Sequence, residues 1–303
     1  MTGSWHGRAS QWLLLLSASS GASAHGGGAH GSWSWHAAPS VAIPLAVAVA
    51  LYVLGCLRLW RRAGPGRGLS RAQASAYAAG IGVLIIALMS PLDAASVDLF
   101  SVHMVQHLLL IMVAPPLLVV GAPEVALLWA LPSSWRRSFG RVERWAGSGL
   151  GSAQGQALGP LLVALLATGV LWFWHVPALY DLAVRNPAVH YVEHLGFLLT
   201  SLLFWATVLR LRPRDHVDNG LRILYVFGMA VQGSLLGALI ALASRPLYLS
   251  HQETAETLGI SALADQRLAG LIMWVPPALL YTGVVAYLFT RWLQALDRRR
   301  TRM

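Results

Sequence analysis

From position 40 onward the chain repeats one pattern. A run of mostly apolar residues, long enough to cross a bilayer, gives way to a short polar or Arg-bearing connection. Seven such runs occupy 40–60, 75–91, 98–121, 158–175, 188–209, 221–243 and 267–290. About 20 apolar residues in a helix span a hydrocarbon core of about 30 Å, and lipid forces their backbone groups to pair within the segment. The pattern therefore predicts an all-α polytopic transmembrane bundle of seven spans over residues 40–292, followed by a basic tail at 293–303. Pro115-Pro116 and Pro276-Pro277 fall inside the third and seventh runs, where they predict kinks. Gly233 and Gly237 form a G-x-x-x-G pattern that predicts close helix packing. No long internal repeat is evident, which argues against an inverted-repeat transporter.

The connections set the orientation. Arg61, Arg62, Arg67 and Arg71 follow the first run; Arg136, Arg137, Arg141 and Arg144 follow the third. Arg210, Arg212, Arg214 and Arg222 separate the fifth from the sixth, and Arg298, Arg299, Arg300 and Arg302 close the chain. The alternate connections carry Arg185, Arg245 or none. Basic loops stay in the cytoplasm, so the N-terminus is expected outside and the C-terminus inside.

Composition agrees: 56% of residues are hydrophobic and 11% charged. The net charge of +10 suggests nucleic acid as a partner only until its distribution is seen. Every basic residue is Arg, placed in short loops as a topology signal, so the partner is the bilayer and nucleic acid is excluded.

Ahead of the spans, residues 1–24 carry Arg8, a short apolar run and Ala22-Ser23-Ala24. This resembles a signal peptide with an A-x-A cleavage site. Residues 25–39 form a Gly-rich outer arm with His25, His30 and His36, which can capture metal at an outer surface or serve simply as a flexible leader.

Histidine placement changes the picture from a generic bundle to a site. His103 and His107 lie four apart at the start of the third span; His190 and His194 repeat the spacing in the fifth. At that spacing two side chains share a helix face, and an imidazole in hydrocarbon needs a partner, a cavity or a metal. With the expected orientation, both pairs fall in the first turns below the outer surface. His175 ends the fourth span at the same depth, with Asp181 nearby. Asp98 flanks the third span, Asp265 and Gln266 open the seventh, and Met273 sits two turns further down. The metal ligands expected are His103, His107, His175, His190 and His194. Glu193, Asp98, Asp181, Asp265, Gln266 and Met273 are auxiliary, and Asp265 and Gln266 equally suit helix capping. Cys56 is the only cysteine and lies inside an apolar run, so a thiolate pair is excluded. A His/Met donor set suits copper, or zinc. His190-Tyr191-Val192-Glu193-His194 also matches the H-x-x-E-H pattern of a zinc hydrolase, with Glu193 as the base. Di-iron oxygenases pair His boxes too, but hold them on the cytoplasmic side.

HMVQHLLLIMVAPPLLVVGAP, WHVPALYDLA, HYVEHLGFLLTSLLFW and DQRLAGLIMWVP together resemble the CtaG family of seven-span bacterial factors that assemble caa(3)-type cytochrome c oxidases. The resemblance covers about residues 40–290 and leaves out the His-bearing leader. It implies a non-enzymatic assembly factor in the bacterial plasma membrane. It further implies handling of copper for the oxidase's centres, with oxidase subunits or their copper chaperones as partners. The family's matching histidines fall on His103, His107, His175, His190 and His194.

Overall fold

The computed structural model describes residues 34–35, 37–132, 153–210 and 216–300; at 153–158, 210, 216–219, 295 and 298–300 it describes the backbone alone. The expected signal peptide, most of the His/Gly-rich arm, and the basic segment holding Arg136, Arg137, Arg141 and Arg144 lie outside the described residues.

Among those residues the regular structure is entirely helical. Helix α1 is Pro39–Ala63, α2 Arg71–Met89 and α3 Pro91–Ser96. Helix α4, Phe100–Leu108, continues through a π-helical turn, Leu109–Val113, into α5, Ala114–Val120. Then come α6 Pro123–Ala130, α7 Ala153–Trp174, α8 Pro177–Arg185 and α9 Pro187–Arg210. Helices α10 His216–Ala241, α11 Gln252–Thr257 and α12 Ala262–Arg300 complete the order.

Six of these units are long and apolar enough to cross a membrane: α1, α2, α4 with α5, α9, α10 and α12. The remaining predicted span is a broken one. Gly159–Trp174 and Pro177–Arg185 meet at 74°, because a proline disfavours helical geometry in the residue before it. Val176 accordingly adopts φ −64°, ψ 123°. The break leaves His175 at a corner rather than on a helix face.

The prolines of the third span act locally. Pro115 has no N–H and crowds the carbonyl four residues back, which is Ile111 in the π turn. That carbonyl accepts the indole N–H of Trp205 on α9 at 3.0 Å. The tandem proline thus ties the two His-bearing spans together below their histidines. Helix α12, by contrast, runs on through Pro276-Pro277.

The most extensive pairing is α10 with α12. A Cβ on Gly237 would fall 2.9 Å from the Trp274 nitrogen, and one on Gly270 2.4 Å from that of Ala241. Gly233, the other half of the G-x-x-x-G, has no neighbour within 4 Å of its own would-be Cβ. The crossing therefore rests on one glycine from each helix. Helix α4 packs on α12, and α9 packs between α5 and α7. These contacts bring the starts of α4, α9 and α12 together with the α7–α8 corner. Outward positions such as Leu162, Leu165, Leu224 and Leu239 are exposed leucines, a surface that suits lipid and not water.

Candidate metal centre

Each His-bearing helix is started by groups that fix its first turn. Leu99 gives α4 no side-chain cap of its own. Its free N–H groups at Phe100 and Ser101 donate instead to the Asp265 carboxylate of α12, at 2.7 and 3.1 Å. Helix α9 begins with Asn186 and Pro187, and the Asn186 side chain accepts from the Ala188 and Val189 N–H groups at 3.0 and 3.3 Å. Both arrangements satisfy amides that a helix leaves orphaned.

Two facing pairs of imidazoles result. One donor atom from each of His103, His107, His190 and His194 can be chosen so that all four lie within 4.8 Å of one another. Ring centroids are 4.3 Å apart for His103 and His107, 4.0 Å for His190 and His194, and 5.1 Å for His103 and His190. His103, His107 and His194 are buried and His190 is half-buried. The Nε2 atom of each is buried without a hydrogen-bond partner. Leaving a buried polar atom unpaired costs about 1–3 kcal/mol, so four at one point mark a place where something else completes the bonding. The Nδ1–H of His103 donates to the Ser96 carbonyl at 3.3 Å. That bond fixes the tautomer and leaves the Nε2 lone pair free. Around a tetrahedral ion with bonds of ~2.0–2.1 Å the nitrogens would stand about 3.3 Å apart, a modest contraction from the observed spread.

His175 stands beside this group and outside it. Its Nδ1–H donates to the Leu171 carbonyl at 2.7 Å, its Nε2 is unpaired, and its ring lies 6.1 Å from that of His107. Glu193 is fully buried with both oxygens unpaired, one of them 3.9 Å from His107 Nε2. The remaining predicted residues serve the fold around the cluster. Asp265 caps α4, as above. Gln266 accepts from the Leu247 N–H at 2.6 Å and donates to the Ile240 and Arg245 carbonyls, both at 3.3 Å, closing the end of α10. Asp181 accepts from the Ser250 N–H and hydroxyl at 3.2 and 2.7 Å. The Asp98 carbonyl accepts from Thr254 at 2.8 Å. Met273 is buried in an apolar cluster with Phe100, Met104 and Tyr180.

Two residues matter more than their sequence signal suggests. Gln106, between the histidines of α4, is fully buried and donates to Asp93 at 2.6 Å and to the Ala87 carbonyl at 2.8 Å. Its signal was a carboxamide inside an apolar run. His251 closes the cluster from the connection after α10. Its Nδ1–H donates to the Val97 carbonyl at 3.0 Å, its Nε2 accepts from Tyr180 at 2.7 Å, and its ring lies 5.8 Å from that of His103. Burial holds the His251 pKa below the usual imidazole value, which fits that neutral bonding pattern.

Fold and site define a polytopic helical membrane protein with a buried all-imidazole cluster that could hold a metal ion. The chain belongs to the cytochrome c oxidase caa3 assembly factor family (Caa3_CtaG), whose model matches residues 50–295. Among curated proteins it is similar to uncharacterised proteins of Mycobacterium bovis and Mycobacterium tuberculosis, each 26% identical over 251 residues, 82% of this chain. A Mycobacterium leprae protein is 25% identical over 244 residues. The chain spans only 37% of the length of each of these relatives. No solved structure matches it significantly.

Proposed function

We propose that this protein carries copper for the maturation of cytochrome c oxidase, holding one ion between His103, His107, His190 and His194. The observation that supports this most is the convergence of four unpaired, buried imidazole nitrogens on one point. An all-nitrogen set without thiolate suits Cu(II), which outranks its neighbours in affinity for such donors; zinc is the less favoured occupant. Copper here is cargo and no residue acts catalytically. Glu193 stands beside His107 as an outer partner, and His175 lies next to the group and not in it. The Arg distribution supports reading the cluster as facing the outer side of a bacterial plasma membrane, where oxidase subunits or their copper chaperones would receive the ion. Deleting the gene is expected to lower cytochrome c oxidase activity, most at limiting copper, and to spare quinol oxidation that needs no copper. Full oxidase activity under those conditions would overturn the reading.

The position of Glu193 favours a second reading, an intramembrane metal-dependent hydrolase with His190 and His194 as ligands and Glu193 as base. Glu193→Gln separates the two. A copper carrier should largely keep its oxidase-supporting activity with this change, whereas a hydrolase keeps its metal and loses all turnover.

A further inference from the structure

Beneath the histidine cluster lies a cavity of about 70 Å³. Its wall includes Met104, Met112, Met229 and Met273 together with His107 and His175. These are four of the protein's seven methionines. Packing alone gives methionine a place in irregular interiors, but it does not account for the imidazole. His175 Nε2 is buried and unpaired, while Nδ1–H is committed to the Leu171 carbonyl. The ring therefore presents a lone pair and no proton.

The other polar groups on the wall are largely engaged. Thr200 donates to the Gly196 carbonyl at 2.8 Å, and Gln232 accepts from the Trp172 indole at 2.9 Å. The Met229 thioether accepts from Thr168 at 3.5 Å. Met104 and Met273 pack in one apolar cluster with each other. The cavity is roomy enough to take an ion.

We infer that this cavity is a second metal site, separate from the four-histidine cluster, which takes a soft monovalent ion through His175 and the thioethers of Met104 and Met273. Thioethers select Cu(I), whereas the imidazole cluster above suits Cu(II). His107 belongs to both walls and stands between the two sites. The inference rests on the copper reading above for its ligand, but the two fail separately.

The test uses the full-length protein in detergent with Ag(I) as a redox-inert probe and Cu(II) as the second probe, each counted by mass spectrometry after desalting. Wild type is expected to retain one Cu(II), and one Ag(I) in the cavity even when Cu(II) already fills the cluster. Met104→Leu with Met273→Leu keeps side-chain volume nearly unchanged; it should lose the Ag(I) and keep the Cu(II), which also shows that it is folded. His175→Ala should do the same. His190→Ala with His194→Ala should lose Cu(II) and keep Ag(I). Retention of the Ag(I) in both cavity variants overturns the second site, and so does loss of Cu(II) along with it. If His190→Ala with His194→Ala keeps its Cu(II), the cluster reading fails while the cavity stands or falls on its own variants.

Discussion

Replacing His103 and His107 together with alanine is expected to abolish stoichiometric copper binding and to reproduce the deletion's loss of oxidase activity. Loss of one outer partner of a metal ligand already lowers affinity about 10- to 100-fold; this change removes two of four inner donors. The variant should still fold. Its two rings carry three buried, unpaired nitrogens, His103 Nε2 and both of His107, each a burden of about 1–3 kcal/mol without a partner. Their removal offsets part of the cavity left behind. Metal content and thermal unfolding of the purified variant distinguish a ligand from a packing residue. Unchanged copper stoichiometry would end the single-site reading.

Asp265→Ala is expected to have the largest effect of any single change outside the cluster. It strips the acceptor from two buried amides at the start of α4. Loss of a helix cap costs about 0.5–2 kcal/mol, and here two amides are orphaned away from water, so a loss near about 2 kcal/mol or more is expected. Because α4 carries His103 and His107, copper affinity should fall with stability. Asp265→Asn retains an acceptor and should recover much of both. Thermal unfolding with a copper titration checks this, and a melting temperature equal to wild type would refute the capping role.

What the sequence made legible was whatever repeats within one helix. The spans follow from apolar runs, and the two His pairs follow from spacing along single segments. Contacts across the sequence were not. Asp265 caps a helix more than 160 positions earlier, and Gln266 closes the end of a different span. Their residue types signal a cap without saying whose. His251 reads as an interfacial histidine because nothing near it in the chain betrays Tyr180 or Val97, the groups that orient it over the cluster. The 74° bend comes just past the point where the sequence reading ends the fourth span, and the helix that resumes at Pro177 does not follow from a proline alone.

The bond from Trp205 to the Ile111 carbonyl has a consequence for coordination chemistry. Spans α4 and α9 are joined by it below the histidines, while Asp265 and Asn186 set their first turns above. The four imidazoles thus hang from a closed frame, as donors do in a macrocyclic chelator. Gathering them is accomplished when the bundle folds, and an arriving ion need not organise its own ligands. Such a frame binds more tightly than the same four rings on loose chains. An ion bound there, as proposed above, would leave slowly, and its release to an acceptor would call for a distortion of the frame itself.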